Sequence, residues 1–418
     1  MRIAAGILCF SSLLSAQSPK DIRDAVSHRQ LSAAQLAGYM NSTDDGVRYE
    51  AVKGLTEIGT AEVVDPLIRA THDNNADVQA RAVTGLVNFY LPGYLVTGKN
   101  TSIRKLSNDI ASRFNDPSDQ IIDPYVVVRP DVITAIGRVA VSGTSINART
   151  EAARALGVLR GQAALPDLLE ALKSKDTDLI YESVLALKKI EDPRGGPGIH
   201  FLLRDKDERL QLLAIETTGI LRNREAAKDL EDLVRNSRKD RVRRAALSAL
   251  AMMPAGVHRD IFVRYLGDKD EMMRTASAEG LARLANQADL ATVEKSYADE
   301  GKPRPRLALA FAQVMEGKQE NGEYSPLRYL IYNLNSAANS NIATTYLTEA
   351  TAVMPGLRPT LYEAADTGTR DEKIYLARVF SQAGDRGAEG TLQKLSHDSD
   401  SAVSQEGIKA LKVLHARV

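Results

Sequence analysis

Asp270-Glu-Met-Met-Arg-Thr-Ala-Ser-Ala-Glu-Gly-Leu-Ala-Arg-Leu284 is the stretch that decides the fold. Counted from Met273, the residues Ser277, Leu281 and Leu284 stand 4, 8 and 11 positions on, a spacing that draws one stripe along an α-helix. The same register recurs upstream from Val47, Val78, Ala148, Leu179, Leu210 and Val242, so that the successive anchors lie 31, 70, 31, 31, 32 and 31 residues apart. Four residues past each anchor the side chain is small: Ala51, Ala82, Ala152, Ser183, Ala214 and Ala246. Eight past it stands Leu55, Leu86, Leu156, Leu187, Thr218 or Leu250. Small positions let a helix approach its neighbour, and the large ones fill the layer between.

A shorter apolar segment follows each stripe, as in Val63 to Ala70, Ala164 to Leu172, Ala226 to Val234 and Asp260 to Leu266, so each unit reads as a helix pair. An acid precedes most anchors (Asp45, Asp77, Asp178, Asp207, Asp240, Asp270). At a helix start a carboxylate accepts from unpaired backbone N–H groups and suits the positive end of the helix dipole, so this column is read as caps and not as a metal site. Arg48, Arg149, Arg243 and Arg274 follow the anchors and are expected beside the cap of their own or the next repeat.

D-D-G-V-R at Asp44 to Arg48, D-R-V-R at Asp240 to Arg243 and D-E-M-M-R at Asp270 to Arg274 resemble HEAT repeats, most of all the short variety of phycobilin-lyase-like proteins. The resemblance runs from about residue 30 to 300 and resumes at Asp371 to Ala383 and Asp400 to Leu414. It implies an all-α fold, a right-handed α-solenoid or superhelix of about ten HEAT-like helix pairs, used by its relatives for very different partners. Tetratricopeptide repeats are the near alternative; their period is about 34 and their Trp, Tyr and Gly landmarks are missing. The expected organisation is a signal peptide over 1–18, capping helices over 19–44, repeats over 45–316, degenerate repeats over 317–370, and C-terminal repeats with a cap over 371–418.

The chain of 418 residues has 54 Lys and Arg against 54 Asp and Glu, one Cys, no Trp, 44% hydrophobic and 5% aromatic residues. Balanced charge argues against a general nucleic-acid binder, which collects a basic excess to displace counterions. Met1-Arg2, the apolar run Ile3 to Leu14 and the small residues Ser15-Ala16-Gln17-Ser18 have the form of a secretory signal peptide. The expectation is an exported, periplasmic or secreted chain with no membrane span. If Cys9 leaves with the signal, disulfides, thiolate chemistry and Cys-ligated metals drop out together.

The 70-residue spacing between Val78 and Ala148 exceeds one repeat by 39 residues, so a segment is inserted within the second unit. Its first helix is expected to end near Tyr90, and Pro130 suits the first turn of a second helix running to about Val141, which leaves an insert over 91–129. A loop this long in a compact array either binds something or packs as a plug. Tyr94, Arg104, Lys105, Phe114 and Tyr125 are its candidate partner-binding residues. Gly93 to Asn100 nearly matches a phosphate-binding loop, but Asn100 stands where Ser or Thr would hold magnesium and no α/β sheet surrounds it.

The resemblance also implies that second helices line the concave side of the array, where Arg69, Glu170, Arg204, Arg235 and Arg264 are candidates for the exposed binding surface. Tyr324, Tyr329, Tyr332, Tyr346 and Tyr362 gather in the degenerate stretch, to fill thicker layers or to meet a partner. Catalytic, cofactor and metal residues are not expected: the six histidines are scattered, none is followed by Glu as in the di-iron hydroxylases that use similar repeats, and neither G-x-S-x-G nor H-E-x-x-H occurs. The resulting expectation is a non-enzymatic scaffold for a protein or peptide partner. The alternative is a lyase-like or chaperone-like protein that cradles a small cofactor or a peptide.

Overall fold

The stripe from Val47 is a helix, Asp45–Ile58, whose Val47, Ala51 and Leu55 are buried. In the computed structural model, which describes residues 18–94 and 120–418, every anchor heads such a helix and no strand occurs among the described residues. The chain divides into two compact units, one reaching to Ile122 and including Val128–Ile190, the other made of Asp123–Val127 and Glu191–Val418.

In the first unit the first helices Asp45–Ile58, Ala76–Tyr90, Ile146–Val158 and Thr177–Ile190 pack in that order, each on the next. Val64–Ala70, Pro130–Ser142 and Leu165–Ala171 are their second helices. Two short helices, Pro19–Ser27 and Ala33–Tyr39, cover the exposed side of the first repeat through Ile22 and Leu36. In the second repeat the first helix ends at Tyr90 and the second starts at Pro130.

In the second unit the first helices are Glu208–Ile220, Asp240–Met252, Glu271–Leu284, Pro303–Met315, Ser340–Val353, Arg370–Ala383 and Ser401–Arg417, again stacked in chain order. The stretch read as degenerate keeps the pairing, with Pro326–Tyr332 and Arg358–Thr367 as second helices. There Tyr346 is buried and stacks on Phe311 with ring centroids 4.7 Å apart, whereas Tyr324 and Tyr332 are exposed. One second element is not α-helical: Pro197–Arg204 is a 3-10 helix, entered through Pro193, Gly195, Gly196 and Pro197, where the prolines bring no N–H and the glycines lower helix propensity.

Close stacking depends on small residues at the crossings. A Cβ on Gly219 would lie 2.7 Å from the Cα of Ala249 on the next first helix, and one on Gly157 would lie 2.8 Å from the Cα of Ala186. The turn into the second helix is built by a left-handed residue twelve past the anchor: Gly59, Arg160, Glu191, Arg222 and Ala285 have φ of 65°, 48°, 58°, 52° and 49°. Only the first is a glycine, so the other four hold a conformation that side chains disfavour.

The caps differ in part from the expected column. Asp207 and Asp270 do cap, accepting from the N–H groups two and three residues on. Asp45, Asp77, Asp178 and Asp240 sit inside the first turn instead, where their charge suits the dipole. In those repeats the helix begins one or two residues earlier, and the capping acceptor is Asp44 in the first, Asn75 in the second and Asp176 in the fourth. The arginine column behaves as expected at Arg48 and Arg274, whereas Arg149 and Arg243 donate to the Ala140 and Val234 carbonyls at the end of the preceding second helix. Arg48 donates to both carboxylate oxygens of Asp73 at 2.8 and 2.9 Å and to the carbonyl of Ser42, and Arg274 does the same with Glu300 at 2.7 and 3.1 Å and the carbonyl of Asp268. Each therefore ties the turn before its own helix to the turn before the next.

Candidate functional site

Three residues past the anchors, on a face of the first helices away from the apolar stripe, the first unit carries Glu50, Arg81, Glu151 and Glu182 in one column. Because consecutive first helices pack together, these residues lie along a row across four repeats. Arg23 from the Pro19–Ser27 helix donates to Glu50 at 2.6 and 2.8 Å, and Lys53 stands 3.5 Å from the same carboxylate. Arg154 bridges Glu151 at 2.5 Å and Glu182 at 2.9 Å. Burial works against the Arg154 charge, but the bond to Glu182 and the charge of Glu151 outweigh it and raise its pKa.

Arg81 is the member of the row without a counter-ion. Its guanidinium makes no hydrogen bond or ion pair with any described residue, and its Nε is shut off from solvent with no acceptor. Burial lowers its pKa, opposed in part by Tyr49, Glu57 and Glu50. It lines an open recess of about 590 Å³ with Pro19, Arg23, Tyr49, Glu50 and Thr84, and with Asp45, Asn75 and Asp77 also on its walls.

The insert leaves and rejoins the array beside this row. Burial, and then the charge of Glu151, push the Tyr94 hydroxyl up to about 12, with Arg154 opposing and Glu182 adding. On the return, the Ile122 N–H donates to the Val158 carbonyl at 3.0 Å, and Lys189 Nζ donates to the Gln120 carbonyl at 3.2 Å. The described return of the insert is thus fixed on the Ile146–Val158 and Thr177–Ile190 helices, while its departing end is held by its own helix, the Gly93 N–H donating to Asn88 at 3.2 Å. The hinge is closed by the Arg129 N–H, which donates to the Tyr90 hydroxyl at 3.2 Å, and by Arg129 Nη2, 2.7 Å from Asp65.

Of the remaining described candidates, Arg69 and Glu170 lie on second helices of the first unit, and Tyr125, Arg204, Arg235 and Arg264 belong to the second unit. Arg104, Lys105 and Phe114 lie outside the described residues, as do Cys9, residues 1–17 of the signal segment and the stretch Leu95 to Asn100. Tyr125 belongs to the second unit, donates its hydroxyl to Asp123 at 2.9 Å, and is followed by the exposed Val127; Asp123 also meets Lys409 at 3.2 Å. In the same unit Arg204 is already engaged by Asp229 and Asp232 at 3.0 and 2.9 Å, and Arg235 faces Glu231 at 3.4 Å. Arg264 is exposed and stands 5.6 Å from the ring centre of Tyr265. On the second helices of the first unit Arg69 is exposed and Glu170 pairs with Lys173 at 2.6 Å.

A second recess, of about 570 Å³, occupies the equivalent face of the second unit, with Arg370, Tyr375, Arg378, Glu406 and Lys409 among its walls. Its bases are matched: Arg370 with Asp400 and Asp371, Arg378 with Glu406, Lys409 with Asp123. Both recesses are lined by first helices, whereas the resemblance placed the binding surface on second helices. Among the described residues no group of three or more His, Cys, Asp or Glu is arranged to hold a metal ion, and no helix is long and apolar enough to cross a membrane.

The architecture is that of a helical-repeat protein, and the family comparison agrees with the resemblance. Residues 32–96 match the model described as HEAT repeats, and residues 148–174 match the one described as PBS lyase HEAT-like repeat. No curated protein matches the chain. Among solved structures, a protein described as engineered is 18% identical over 92% of this chain and 98% of its own, with a TM-score of 0.39. A structure titled for the interaction between cadherin and beta-catenin is 13% identical over 95% and 96%, at 0.42. The complex of CpcE and CpcF of phycocyanin lyase from Nostoc sp. PCC7120 is 16% identical over 72% and 93%, at 0.31. At these scores the likenesses carry no argument about what this chain binds.

Proposed function

We propose that the protein is an exported, non-enzymatic HEAT-repeat scaffold that binds a protein or peptide partner through a surface of its repeats together with the insert at 91–129. The observation that carries this reading is the placement of the insert. It opens between the two helices of one repeat without disturbing the packing of the Ala76–Tyr90 helix on the Ile146–Val158 helix, and its described return at Gln120 and Ile122 is tied to the first helices. A segment added at a loop beside a charged face is the usual design of a recognition element on a rigid array. Export rests on the pattern of Met1 to Ser18.

The test is affinity capture from an envelope fraction with the mature chain, beside a variant in which 91–129 is replaced by a short linker. The linker is feasible because Arg129 already lies within a hydrogen bond of Tyr90. Circular dichroism first establishes that both chains are helical. A protein recovered by the intact chain and lost with the linker supports the reading. Recovery of no protein by either, with a small chromophore or cofactor copurifying, overturns it in favour of the lyase-like alternative.

A further inference from the structure

We propose that the recess between the Pro19–Ser27, Asp45–Ile58 and Ala76–Tyr90 helices is a carboxylate-binding site, in which Arg81 and the Tyr49 hydroxyl hold an acidic side chain of an extended peptide. The inference deepens the partner-binding reading above and rests on it.

Three observations converge. Each acid of the row has a base, Glu50 with Arg23, Glu151 and Glu182 with Arg154, while Arg81 has no described partner and a dry Nε–H that donates to no described acceptor in exchange for its lost water. A half-buried charge without a counter-ion, with its Nε–H desolvated and unpaired, is unfavourable for the free protein, so its retention at an open recess points to an anion supplied from outside. Second, the half-buried Tyr49 lines the same recess and its hydroxyl has no partner among the described residues, which leaves one more donor for the same anion. Third, the space, about 590 Å³, suits one or two peptide side chains and not a folded domain.

The walls decide which anion. Asp45, Glu50 and Asp77 are among the walls, and Asp77 has no side-chain partner among the described residues. That setting repels a doubly charged phosphate but tolerates a single carboxylate, above all one whose neighbour in the peptide is a lysine able to meet Asp77. An arginine fork matches a carboxylate with two parallel bonds, which a lysine at position 81 would not reproduce. The second unit offers the contrast: the recess there has equivalent walls but its arginines are already paired, so it lacks the vacancy that would draw an acid.

The experiment uses the full mature chain with ¹⁵N-labelled arginine, the Arg81 side-chain signal being identified by its loss in Arg81→Lys. The probes are N-acetyl-Gly-Asp-Lys-Gly-amide, its Asn counterpart and inorganic phosphate. The expected result is a saturable shift of the Arg81 Nε–H signal with the Asp peptide, at least tenfold weaker binding of the Asn peptide and of phosphate, and at least tenfold weaker binding of the Asp peptide to Tyr49→Phe with Arg81→Lys combined. Equal response to the Asp and Asn peptides, no response at all, or tighter binding of phosphate overturns the proposal. Arg81→Met adds a reading that packing alone would not give: thermal stability is retained or raised while peptide binding is lost. If a partner is captured equally by the intact chain and by Arg81→Lys, this site is refuted and the scaffold reading stands. If no partner is captured by any chain, the scaffold reading fails and the peptide titration still decides the recess.

Discussion

Replacing Glu316 by glutamine should remove most of a pH dependence built into the second unit. Glu316 follows the Pro303–Met315 helix, is 2% exposed, and neither of its carboxylate oxygens has a partner among the described residues. Burial, followed by the charges of Asp289 and Glu294, pushes its pKa up to about 8 from 4.5. Asp289 is itself fully buried and bound by Arg259 Nε at 2.8 Å, and Glu294 pairs with Lys318 at 3.1 Å, so these two cations are taken by the neighbouring acids and not by Glu316. Below pH 4.5 the carboxyl is protonated in the folded and unfolded chain alike and costs nothing. Between pH 4.5 and 8 the unfolded chain releases this proton and the folded chain keeps it, so stability falls as pH rises, and above pH 8 the loss is complete. Carried across that window, the effect is roughly 5 kcal/mol. Urea unfolding followed by helicity at pH 4, 6, 8 and 9 should therefore show Glu316→Gln close to wild type at pH 4 and several kcal/mol more stable at pH 8. Asp289→Asn should narrow the window, because one of the charges that holds the proton on Glu316 is gone. Parallel pH profiles for wild type and Glu316→Gln, separated by a constant offset, would refute the assignment of a neutral buried Glu316.

Three further outcomes follow from the repeat geometry. Gly219→Ala places a Cβ against the Ala249 backbone and should cost about 1–3 kcal/mol by overpacking, read as a drop in the urea midpoint, whereas Gly256→Ala, with open space around it, should be nearly neutral. Ala285→Gly relieves a left-handed residue at φ 49° and should stabilise the chain by about 0.5–1 kcal/mol, seen as a higher melting temperature. Arg48→Ala breaks the paired bonds to Asp73 and the bond to the Ser42 carbonyl and should cost roughly 2–3 kcal/mol; hydrogen exchange should quicken first in the turn at Asp73 to Asn75.

The helices were legible because their apolar stripe repeats with the period of the helix itself. Pro130 marked the far end of the insert for a local reason, its fixed φ and missing N–H, and the structure starts a helix there. The caps were legible only to within two residues. Asp44 and Asp45 stand together, and Asn75 and Asp77 flank one residue, so composition names the region but not which oxygen reaches the orphan N–H groups. The left-handed turn escaped notice because Arg160, Glu191, Arg222 and Ala285 are not turn-forming residues. Their conformation is imposed by the packing of the helices on either side, and only Gly59 announces it.

The site was harder to read for a reason that repeat proteins share. Along the apolar stripe each position repeats, so a column of the alignment states its own role. Along the charged row the meaning lies in departure from the column, since Glu50, Glu151 and Glu182 are acids and Arg81 is the one base among them. The departure alone does not distinguish a bridging arginine from an unpaired one. Arg154 lies three residues past Glu151 on the same helix and takes both neighbouring acids, while Arg23, from outside the repeats, takes Glu50 before Arg81 can. Whether Arg81 is free is thus settled by a helix that precedes the first repeat and by a side chain two helices along. A vacancy of this kind arises between repeats, which is where a scaffold of otherwise equivalent units can distinguish one partner segment from another.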